Sequence, residues 1–147
     1  MSINTQLKIF SILLLMLLFD LFLNTSISNQ FFTFSLFFVY LFLLGRKYFS
    51  NKLIFSLMVA GFFYESIFST NYIGIFTASV LLVVVLSNVT IFFESKVFLF
   101  IIFLISYIAF YTTIRTSLNF IDLNLLISLL LNFLIFYRID KLIKRDV

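Results

Sequence analysis

The chain has 147 residues, 63% of them hydrophobic and 11% charged, with ten Lys+Arg against six Asp+Glu for a net charge of +4. At a mean hydropathy of +1.21 it carries too little polar surface for a soluble domain of this length, so it reads as one multi-pass membrane domain over residues 1–147. The basic residues flank apolar runs and serve as orientation signals rather than a nucleic-acid surface. The absence of His and Cys removes the commonest general base, thiolate ligands and disulfides.

The first apolar run, IFSILLLMLLF after Lys8, resembles a signal peptide but lacks a small-x-small cleavage site. Further apolar runs follow it, so it reads as a retained first span. Long, continuous, non-alternating runs predict helices rather than strands. The predicted spans are 7–23, 31–48, 52–68, 72–93, 97–114 and 119–138, against about 20 helical residues for a bilayer core of about 30 Å. The expected fold is all-α: a six-helix transmembrane bundle. Six crossings put Lys8, Arg46, Lys47, Lys52, Lys96, Arg138, Lys141, Lys144 and Arg145 on one side and only Arg115 on the other. The positive-inside rule then makes both termini cytoplasmic.

Helix rise gives the depth of each acid. Asp20 lies 12 residues from Lys8 and Glu65 lies 13 from Lys52, about 18–20 Å at 1.5 Å per residue. Both acids should therefore sit several ångströms below the outer surface. Asp122, 16 residues from Arg138, comes out at about 24 Å, nearer the outer interface where Arg115 is the one cation. An intramembrane acid is costly and by default marks a functional or packing site. The plainer alternative is that Asp20 and Glu65 are hydrated and merely end their helices, and for Asp20, just before LFLNTSISNQ, that plainer reading is the preferred one. For Glu65, Gly61 one turn earlier favours an inward-facing role beside a closely packed helix.

Ser56 with Ala60, and Gly74 with Ala78, are small-xxx-small pairs that allow close helix approach. In the last span Asn124, Ser128 and Asn132 recur every four residues and share one helix face, which reads as an interhelical polar seam. Arg138, Lys141, Lys144 and Arg145 read as a basic tail suited to anionic lipid, moderated by Asp140 and Asp146. There is no HExxH, GxSxG, P-loop, GxGxxG or Cys/His cluster, so neither an enzyme nor a metal or cofactor protein is expected.

The stretch Gly61-Phe62-Phe63-Tyr64-Glu65, followed by Gly74 at the start of the next span, resembles the MreD family of rod shape-determining membrane proteins. In that family a glycine, a short aromatic or aliphatic stretch and an acid precede a second glycine. The last span, LLISLLLNFLIFYRIDKLIKRD, is also similar: leucine-rich, with an internal Asn at 132 and a basic end. This chain has Glu65 where the family usually has Asp, which keeps the charge on a longer arm. The resemblance implies a bacterial inner-membrane protein of the cell-elongation machinery without chemistry of its own. It also implies association with an MreC-like membrane protein and, directly or indirectly, with MreB, RodA and a penicillin-binding transpeptidase. Gly61, Tyr64, Glu65, Gly74 and Ala78 would form the packing or docking segment.

The span count also fits the substrate-binding S component of an energy-coupling-factor vitamin transporter. Those proteins typically present an Ala-x-x-x-Ala pattern on the first helix, whereas this first run is bulky throughout. The outer loops here also offer no Trp or His with which to grip a vitamin.

Overall fold

The computed structural model describes residues 3–26, 35–68, 74–93, 95–114 and 123–145. Among the described residues the chain is all-helical, with α1 (Ile3–Ser26), α2 (Leu36–Tyr48), α3 (Asn51–Phe68), α4 (Ile75–Val89), α5 (Lys96–Ile114) and α6 (Leu123–Arg145). A 3₁₀ turn at Thr90–Phe92 follows α4. Ile75–Phe92 and Lys96–Thr113 are each long and apolar enough to cross a membrane, and Asn51–Phe62 is a shorter apolar stretch.

Serines open three of the helices. The hydroxyl of Ser35 accepts from the Phe38 N–H at 3.2 Å and that of Ser50 from the Leu53 N–H at 3.2 Å. Ser95 stands in the same place before α5, 3.5 Å from the Phe98 N–H. Each hydroxyl satisfies a donor that the first helical turn leaves without an intrahelical acceptor.

The second and sixth helices differ most from expectation. The described α2 opens at Leu36, five residues after the predicted start, because Ser35 already caps it. Its 13 residues cover only about 20 Å. The sixth helix runs on to Arg145, so Arg138, Lys141 and Lys144 stand on the last turns of a helix rather than on a tail. An ion pair between Arg46 Nη1 and Asp140 Oδ1 at 2.9 Å ties those turns to α2. The Arg46 guanidinium also lies 5.7 Å from the ring centroid of Phe136.

The two central helices are α2 and α4. α1 and α6 pack on α2, α3 and α5 pack on α4, and α2 also touches α5. Where α2 meets α4, a Cβ on Gly45 would run into the Ser87 hydroxyl and lie 2.6 Å from the Val84 carbonyl oxygen. Only glycine permits that approach. Between α2, α5 and α6 the core is aromatic. Phe38 meets Phe103 and Tyr107 edge-to-face at 5.2 Å, and Phe42 meets Phe136 the same way at 5.1 Å. Edge-to-face pairs place the positive rim of one ring on the negative face of another, each worth about 0.5–1.5 kcal/mol. Ser56 and Ala60 on α3 lie against Ile9 and Leu13 of α1 around a small gap, so that small pair serves the α1–α3 contact.

Candidate functional site

Asp20 and Glu65 are both buried, at 7% and 4% exposure, and neither ends its own helix. Helix α1 continues six residues past Asp20 to Ser26, and α3 continues three past Glu65 to Phe68. Each carboxylate reaches to the start of the next helix instead.

The joint at α2 is the more elaborate of the two. Asp20 Oδ1 accepts from the Leu36 N–H at 2.9 Å, and Oδ2 accepts from the Phe37 N–H at 2.8 Å. One residue earlier, the Ser35 N–H donates to Asn132 Oδ1 at 3.0 Å. With the Ser35 hydroxyl on Phe38, side chains from α1, α6 and the cap itself satisfy four consecutive N–H groups. A helix start presents such donors together with the positive end of its dipole, and a carboxylate answers both. The amide of Asn132 completes the arrangement: its Nδ2 donates to the Ser128 carbonyl at 2.8 Å and to the Tyr107 hydroxyl at 3.2 Å. The expected polar seam thus becomes a knot joining α6 to α5 and to the start of α2.

The joint at α4 is built on the motif segment. Glu65 Oε2 accepts from the Gly74 N–H at 2.7 Å, and Oε1 accepts from the Thr77 N–H at 2.9 Å. Gly74 precedes the helix with φ +96°, in the left-handed region that glycine adopts without steric penalty. Gly61, one turn before Glu65, faces the same joint. A Cβ there would lie 2.7 Å from Thr77 Oγ1 and 3.1 Å from Thr77 Cα. Glycine at 61 therefore lets α3 close onto α4 where the glutamate makes its bonds.

Gly74 and Ala78 differ from their expected role as a close-packing pair. No heavy atom of the described residues lies within 4 Å of a Cβ built on Gly74, and Ala78 is exposed. The backbone angle of φ +96° explains the glycine; packing against the described residues does not. Arg115 and Asp122 lie outside the described residues, as do the side chains of Tyr64 and Asn124.

The sequence reading did not single out Ser35, Gly45 or the Arg46–Asp140 pair. A serine just before an apolar run was the available signal for the first, and a lone glycine inside a Phe/Leu-rich span for the second. The pair joins residues 94 apart in the chain, and no local pattern announces it.

With each oxygen of both carboxylates engaged by a backbone N–H, the arrangement holds helices in register. A comparison with protein-family models gives no match, and comparisons with curated proteins and with solved structures give none either.

Proposed function

We propose that the chain is an integral membrane protein that crosses the bilayer six times with both termini cytoplasmic. On this reading it is a non-enzymatic scaffold of the bacterial cell-elongation machinery, of the kind the MreD family provides. It would sit in the inner membrane, holding an MreC-like partner beside the enzymes that build lateral wall peptidoglycan.

The membrane part draws on the exposed side chains. Leu15, Leu18 and Phe22 on α1, Phe55 and Val59 on α3, Val97 and Ile101 on α5, and Leu130 and Leu134 on α6 are all exposed and apolar. In water such a surface would drive association, whereas in lipid it is the ordinary outer face of a bundle. The capped start of α2 then has a physical reason. Helix rise places it about 18 Å from the basic end, short of a core of about 30 Å. A helix start at that depth has no water for its N–H groups, so protein must supply the acceptors. Asp20, Asn132 and Ser35 supply them.

The single observation that carries the family reading is the α4 joint. Gly61, Glu65 and Gly74, the three residues on which the resemblance rests, act together there as one unit. Because their polar atoms turn inward, a partner's single helix would meet the apolar outer side of α3 and α4, at Val59, Phe62, Ala78 and Leu82.

Depletion of the protein from its own rod-shaped cells, followed by complementation, tests this reading. The expected result is rounding on depletion, rescue by the wild type, and co-purification of an MreC-like protein. That co-purification should be lost in the Gly61→Leu/Glu65→Leu/Gly74→Leu variant. Cells that stay rod-shaped on depletion, or a complex that survives the triple variant, would contradict it.

A further inference from the structure

A groove of about 1190 Å³ runs beside α2, from Leu36 at the capped start to Tyr48 at the other end. The 12 steps between them correspond to about 18 Å of helix. The groove is larger than the range of about 300–1,000 Å³ usual for small-molecule sites. Its two ends differ in chemistry. Along α2 the wall is mainly apolar, with Leu36, Val39 and Leu43 beside Tyr40, and Leu99 lines it from α5. At the other end Arg46, Lys47, Lys96 and Lys141 converge from three helices, and Asp140 is the one carboxylate on the wall among the described residues. That carboxylate is paired with Arg46. The buried Nε of Arg46 has no hydrogen-bond partner among the described residues.

An elongated apolar wall ending in a cluster of cations fits an amphiphile with an anionic head, and suits a compact soluble solute poorly. We propose that the groove binds one anionic phospholipid from the surrounding bilayer, with its phosphate among Lys47, Lys96, Lys141 and Arg46 and an acyl chain along α2. Basic side chains at a membrane surface attract anionic lipid through phosphate contacts and net charge. Here they come from α2, α5 and α6, so one bound lipid would tie together three helices that are distant in sequence. This inference rests on the membrane reading above, and its test separates the two.

The test is native mass spectrometry of the detergent-extracted full chain with added phosphatidylglycerol or phosphatidylcholine. The expected result is one phosphatidylglycerol retained with about ten-fold or greater preference, since each nearby basic residue contributes on the order of a several-fold factor. The variant Lys47→Ala/Lys96→Ala/Lys141→Ala should lose that preference while unfolding at the same denaturant concentration. A control that removes equal charge elsewhere, Lys8→Ala/Lys52→Ala/Lys144→Ala, should keep it. Equal retention of the two lipids by the wild type, or equal loss of preference in both triple variants, would overturn the proposal. So would displacement of the lipid by millimolar inorganic phosphate, which would make the ligand a soluble anion. Recovery of the protein in the soluble fraction without detergent would instead overturn the membrane reading.

Discussion

Asp20 on α1 and Glu65 on α3 stand in the same relation to the helix that follows each of them. Both are buried acids that place one carboxyl oxygen on each of two backbone N–H groups at the next helix start, at 2.7–2.9 Å. The two capped helices, α2 and α4, are also the pair at the centre of the bundle. The two acids therefore fix the starts of the two helices on which the other four pack.

Removing either acid should loosen the bundle. Asp20→Leu and Glu65→Leu each leave two backbone donors without an acceptor, and an unsatisfied buried donor costs about 1–3 kcal/mol. Each variant should lose about 2–6 kcal/mol of unfolding free energy in a denaturant titration of the detergent-solubilised protein. Glu65→Gln keeps one acceptor oxygen and should fall between Glu65→Leu and the wild type. Wild-type unfolding of both leucine variants would remove the capping role.

The three glycines should respond differently to alanine. Gly45→Ala pushes a methyl group against the Val84 backbone, and Gly61→Ala pushes one against Thr77. Overpacking of this kind costs about 1–3 kcal/mol. Gly74→Ala meets nothing among the described residues but must hold φ +96°, which costs about 1–2 kcal/mol for an ordinary L residue. Asparagine tolerates the left-handed region better. Gly74→Asn should therefore be milder than Gly74→Ala, while Gly61→Asn should be worse than Gly61→Ala. The same unfolding titration reads both orders, and a Gly74 series ranked by side-chain size would show that space matters there after all.

Asp20 and Asn132 serve adjacent N–H groups of one helix start, so their losses should not add. A double-mutant cycle with Asp20→Leu and Asn132→Leu is expected to give a coupling of about 0.5–3 kcal/mol. Pairing Asp20→Leu with Glu65→Leu, which act on different helices, should come close to additivity. Additive losses for the Asp20–Asn132 pair would mean that the α2 joint is not one cooperative unit.

Much of the helical layout was legible in the sequence, because long apolar runs broken by short polar clusters leave few other options. The inward placement of Glu65 followed from the cost of an acid in an apolar segment and from Gly61 beside it. What the acids hold on to was not legible. A cap from a neighbouring helix is a tertiary contact: Asp20 and Leu36 are 16 residues apart, and Ser35 and Asn132 are 97 apart. Nothing in the local pattern encodes that pairing. Gly74 reads in the sequence as half of a close-packing pair with Ala78, and only the backbone, at φ +96°, shows its different reason. The end of α6 was misplaced because a basic cluster after an apolar run looks like a tail, whereas the ion pair with Arg46 holds it to the bundle.

A scaffold role in the membrane requires six crossings with the basic residues gathered on one side. A chain without Cys allows each position to be tested singly with a membrane-impermeant maleimide on intact cells. Asn29→Cys, Asn71→Cys and Ser117→Cys should be labelled from outside, while Ser2→Cys, Phe49→Cys, Phe93→Cys and Asp146→Cys should react only after the membrane is opened. External labelling at position 49 or 93, or protection at 71, would break the six-span arrangement and the scaffold built on it.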